Sequence, residues 1–63
     1  MHAYEIRLYN KMGNSPLIIV AKLLGDHAAI RRAQMLAREG DFVEIFRGPT
    51  CVYSTVPERA FAV

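Results

Sequence analysis

The chain has 63 residues, 52% of them hydrophobic and 22% charged, with a formal net charge of +2. That length holds one core and leaves no room for a second, and so apolar a composition excludes a disordered segment. The basic residues are scattered from Arg7 to Arg59, which falls short of the electrostatic footprint of a dedicated nucleic-acid binder.

The single cysteine, Cys51, excludes an internal disulfide framework and fits a reducing compartment. No charged-then-apolar leader opens the sequence, and the apolar run Leu17–Ala21 is far too short to span a bilayer. A cytoplasmic protein with no membrane partner is therefore expected. At this size apolar burial about balances the entropy of ordering the chain, so burial between copies would help it.

Residues 3–10 alternate, with Tyr4, Ile6 and Leu8 on one face and Glu5, Arg7 and Tyr9 on the other. That pattern predicts a half-buried strand. Gly13-Asn14 suits a tight hairpin turn, and residues 17–24 follow as a second strand, apolar on both faces. A turn centred on Gly13-Asn14 sets Leu8 opposite Ile19, Ile6 opposite Ala21 and Tyr4 opposite Leu23. The same register sets Arg7 opposite Val20, Tyr9 opposite Ile18, and Glu5 opposite Lys22 as a favourable charge pair.

Gly25-Asp26 ends the second strand, and Asp26 is the expected N-cap of a helix. Ala29, Ile30, Ala33, Leu36 and Ala37 form its apolar stripe, and Gly40 is the expected stop. Residues 41–47 read as a third strand, Gly48-Pro49 as a turn and residues 50–56 as a fourth strand. That turn pairs Phe46 with Cys51, Ile45 with Val52, Glu44 with Tyr53 and Val43 with Ser54.

The expected fold is α+β: a four-stranded, mostly antiparallel β-β-α-β-β sheet with one helix on one face. A right-handed return through the helix gives strand order 2-1-3-4 or, with one parallel pair, 1-2-3-4; the first is favoured slightly. Residues 1–56 make the domain. Residues 57–63 are a tail whose Phe61 and Val63 would dock on the open sheet face or on a partner.

The helix serves the face that carries Tyr4, Ile6, Leu8, Ile19, Ala21, Leu23, Val43, Ile45 and Val52. The other face collects Tyr9, Ile18, Val20, Phe42, Phe46, Cys51 and Tyr53, which with Phe61 form the candidate interface. An apolar patch of that kind exceeds what a soluble monomer normally leaves wet.

Chemistry is sparse by comparison. His2, His27 and Cys51 lie too far apart in sequence to suggest metal ligands, and the four glycines sit singly at element boundaries rather than in a phosphate loop. No cofactor is expected. An enzyme would need an activated Cys51, whose simplest role is that of a small hydrophobe beside Phe46. Sheet aromatics beside Arg7 and Lys22 resemble a base-stacking platform, but Glu5 and Glu44 oppose it and the net charge is weak. The reading is a non-enzymatic interaction module, a homodimer through the open face or an apolar edge strand. A nucleic-acid-binding accessory protein is the runner-up.

The stretch from Asp26 to Gly48 resembles a pattern of short uncharacterised bacterial proteins. In these an Ala- and Arg-rich helix beginning Asp-x-x-Ala-Ile precedes Val-Glu-Ile, an aromatic residue and an Arg-Gly turn, and a Tyr-containing hairpin opens the chain. The resemblance covers residues 3–55 and implies a β-β-α-β-β fold without implying any chemistry.

Overall fold

The computed structural model describes residues 1–10 and 15–57. Strands β1 (His2–Tyr9) and β2 (Leu17–Leu23) precede helix α1 (Asp26–Leu36), followed by β3 (Phe42–Arg47) and β4 (Thr50–Ser54). All three strand pairings are antiparallel, and the sheet order is β2-β1-β3-β4. This is the α+β architecture in the favoured order of the two. The expected turn at Gly13-Asn14 and the tail residue Phe61 lie outside the described residues.

The core sits between the helix and one sheet face. Tyr4, Ile6 and Leu8 of β1, Val43 and Ile45 of β3, and Ala29 and Ala33 of α1 are buried. Ile19, Leu23, Ile30, Ala37, Val52 and Tyr53 pack around them. The helix presents only alanines at its most buried positions, so its backbone lies close to the sheet and large side chains come from the strands. Leu36, expected in the stripe, is exposed. No helix among the described residues is long and apolar enough to cross a membrane.

The β1–β2 register differs from the expectation by two residues. Ile6 pairs with Ile19, Tyr4 with Ala21, Glu5 with Val20 and Arg7 with Ile18, while Lys22 lies opposite Ala3. A shift of two keeps every side chain on its face, so the alternation cannot detect it. A Glu–Lys cross-strand pair contributes only ~0.2–1 kcal/mol. Against it stands the core: the small Ala21 beside the buried Tyr4 leaves room for the ring, and Ile6 falls between Ile19 and Ile45.

Strand β4 also departs from its expected pairing. Phe46 does face Cys51, but the register then slips, so Ile45 faces Tyr53 and Glu44 faces Ser54. Val52 is the extra residue of a bulge. Both Val52 and Tyr53 consequently reach the core. Beyond the strand, Thr55 holds Val43 from both sides: its N–H donates to the Val43 carbonyl and its Oγ1 accepts from the Val43 amide, each at 2.9 Å. Gly48, at φ +59°, supplies the positive φ needed at the first position of the two-residue turn.

The helix begins and ends differently from the expectation. Gly25 occupies the cap position in extended conformation, with no side-chain cap, and its carbonyl accepts from the Ala29 amide at 3.1 Å. Asp26 is the first helical residue instead. At the other end the helix stops at Leu36, well before Gly40. There the Asp41 carboxylate accepts from the Arg38 amide while the Asp41 amide donates to the Arg38 carbonyl, both at 2.9 Å. This local turn offers Arg38 an alternative to another helical hydrogen bond, and Gly40 takes φ +85° within it.

Candidate interaction surface

The face away from the helix is built by alternation. Odd residues of β1 and even residues of β2 and β3 point to it, as does Cys51 of β4 opposite Phe46. Tyr9, Ile18, Val20, Phe42, Phe46 and Cys51 therefore share this side as expected. Tyr53 does not: the bulge at Val52 turns it to the core, and Ser54 stands opposite Glu44 in its place. This corrects the expected membership of the face.

The six residues do not form one continuous patch. A polar ridge on β1 and β3 separates Ile18 and Val20 from Phe42 and Phe46. Glu5 forms an ion pair with Arg7. The Arg7 guanidinium also lies 4.5 Å from the centre of the Phe46 ring, a cation–π distance. The Tyr9 hydroxyl donates to Glu44 Oε1 at 2.5 Å. That bond, and then burial, raises the Tyr9 phenol above its ordinary value, while the hydrogen bond to Glu5 raises Arg7. Arg7, Tyr9 and Phe46 are thus engaged with one another and their neighbours, which costs them availability as a platform for a flat ligand.

The apolar surface is most open at the β2 edge. Leu17, Ile18 and Val20 are 60%, 52% and 70% exposed. They lie on a strand that, among the described residues, is paired on one side only, so its outward backbone N–H and C=O groups have no ladder partner among those residues. The sequence already pointed to this strand: it is apolar on both faces, and in the favoured order 2-1-3-4 it lies at an edge open to a second chain, which is where the sheet order places it.

Two polar features complete the molecule. Asp26 Oδ1 accepts from the Tyr4 hydroxyl at 2.6 Å and from Arg47 at 2.9 Å, tying the helix start to β1 and β3. Burial, and then the bond to Asp26, raises the Tyr4 phenol. A groove of about 280 Å³ opens where the helix stops, with Leu8, Leu17 and Leu36 beside Asn10, Ser15, Arg38 and Asp41. Its one carboxylate already accepts from the Arg38 amide. Among the described residues no group of three or more His, Cys, Asp or Glu side chains is placed to hold a metal ion. Cys51 is exposed, and its Sγ contacts the Tyr53 carbonyl at 3.5 Å.

Comparison with known proteins yields no match to a family model, a curated protein or a solved structure.

Proposed function

We propose that this protein is a small non-enzymatic interaction module that self-associates through the apolar surface running from the β2 edge onto the open sheet face. The observation that carries the reading is the exposure of Leu17, Ile18 and Val20 on a strand whose outer edge has no partner among the described residues. Natural proteins usually blunt such an edge with charge, proline or a bulge. Within β2 the only charge is Lys22, at one end of the strand. A setting in the bacterial cytoplasm accords with the free cysteine and with the resemblance of residues 3–55 to short bacterial proteins. Nucleic-acid binding has less support, since Arg7 is already paired with Glu5 and stacked on Phe46. Light scattering of the full chain over a micromolar concentration series tests the reading. A mass rising towards twice the chain mass is expected; a constant monomer mass would remove it.

A further inference from the structure

We infer that the partner at the β2 edge is a second copy of this chain, paired antiparallel with Ile19 on the two-fold axis, so that two sheets join into one of eight strands. The inference rests on the self-association proposed above and adds which strand and which register. Three properties of the strand point to it.

The first is geometric. A two-fold axis normal to the sheet keeps both helices on one side and joins core face to core face. It therefore pairs residues of like face and must pass through a residue, not between two. Nearest the middle of Leu17–Leu23 the choices are Ile19, Val20 and Ala21, with Ile18 one step further out.

The second is packing. With Ile19 on the axis, Ile19 meets the partner's Ile19, and the row Ile45–Ile6–Ile19 continues into its own copy. On the same face the exposed Leu17 meets the small Ala21 of the partner, and on the opposite face Val20 meets the partner's Ile18. Every cross-strand pair from Leu17 to Ala21 is then apolar, and Lys22 falls beyond them, opposite the partner's Pro16.

The third is charge. Val20 lies beside Glu5, and Ile18 lies beside Arg7, on β1. With Ile19 on the axis, the row through Val20 and the partner's Ile18 ends in Glu5 on one side and Arg7 of the partner on the other, opposite charges ~14 Å apart. With Val20 on the axis that row ends in two glutamates, and Lys22 comes within two strand spacings, ~10 Å, of the partner's Arg7. With Ile18 on the axis it ends in two arginines. An axis at Ala21 also avoids like charge, but it sets Val20 against the partner's Lys22 and carries Leu17 past the end of the partner strand, so only the Ile19 axis combines unlike charges across the seam with an unbroken apolar run.

Nitroxide labels on two exposed positions, Lys22→Cys and Ser15→Cys, each in a Cys51→Ser background, measure the register by pulsed dipolar spectroscopy. Light scattering is recorded on the same samples. Dimers with a Lys22 pair at ~20 Å and a Ser15 pair at ~27 Å, the longer separation belonging to Ser15 by one residue rise on each chain, are expected. An axis at Val20 gives ~14 and ~34 Å, and an axis at Ile18 reverses the order to ~27 and ~20 Å. Either of these results, or a dimer with neither pattern, overturns the inference and leaves self-association standing. A monomer in light scattering overturns both.

Discussion

Strands β2 and β4 both bound the sheet, and they end it in different ways. β4 has five residues, a bulge at Val52, polar Thr50 and Ser54 at its ends, and a clasp beyond it in which Thr55 exchanges two hydrogen bonds with Val43. β2 has seven residues paired to β1 in seven unbroken steps, and its exposed side chains are mostly aliphatic. Bulges, short length and polar ends are how a sheet discourages a further strand. One edge of this sheet carries all of those devices, and the other carries only Lys22 near one end. Because both edges belong to one small sheet with the same core beneath it, the contrast is what favours β2 as the edge of the proposed association.

Four changes would break or sharpen that contrast. The largest effect belongs to the row shared by both edges. Ile6 is fully buried between Ile19 and Ile45, so Ile6→Ala should remove ~2–5 kcal/mol of stability. A domain of this length has a total of roughly 3–9 kcal/mol at ~0.05–0.15 kcal/mol per residue. Urea denaturation of this variant should show both edges lost together, at a much lower midpoint.

Val20→Lys separates the edges. It places a charge at the centre of the β2 edge, and self-association measured by sedimentation equilibrium should weaken at least ~10-fold, about 1.4 kcal/mol. Folding stability should move by less than ~0.5 kcal/mol, because Val20 is exposed. The matching change on the other edge, Ser54→Lys, should leave association as it was.

Thr55→Ala tests what closes β4. It removes the side-chain acceptor of the Val43 amide, at a cost of about 1 kcal/mol by thermal denaturation. If the clasp is part of what guards this edge, the variant should also aggregate more readily than the parent.

The smallest effect is one of pH. Tyr9, through its bond to Glu44 and then burial, and Tyr4, through burial and then its bond to Asp26, both have raised values in the folded state. Each folded phenol therefore holds its proton more tightly than the unfolded chain does. Their contribution is complete below about pH 10, the ordinary tyrosine value, and is lost as pH rises through the folded values. Melting temperatures should fall above about pH 10, and less steeply for Tyr9→Phe. The β2 edge contains no tyrosine, so this dependence should appear in stability before it appears in association.

Much of this architecture is legible in the sequence, and the limits of that legibility are physical. Period-two alternation assigned Tyr4, Ile6, Leu8, Val43 and Ile45 to the buried face, and a right-handed return left two strand orders, of which the slightly favoured one, with β3 beside β1, is the one found. Alternation fixes parity and nothing finer. The two-residue shift between β1 and β2 is therefore invisible to it, and the attractive Glu5–Lys22 match pointed to the wrong register. The bulge at Val52 leaves no mark in the residues around it, yet it transfers Tyr53 from the open face to the core. Asp26 has the composition of a cap, but its carboxylate is taken by Tyr4 and Arg47, more than twenty residues away on either side. Likewise the candidate surface was legible as a set of apolar residues, while the ridge of Glu5, Arg7, Tyr9 and Glu44 that divides it depends on which side chains meet across strands.

Backbone hydrogen exchange at two protein concentrations tests the central contrast most directly. An edge strand leaves every second amide without a ladder partner, and pairing to a second copy supplies one. The outward amides of β2 should exchange quickly at low micromolar concentration and become protected as concentration rises, while those of β4 keep one rate throughout. Protection that grows on β4 instead, or β2 amides indifferent to concentration in a sample shown to dimerise, would contradict the assignment of β2 as the associating edge.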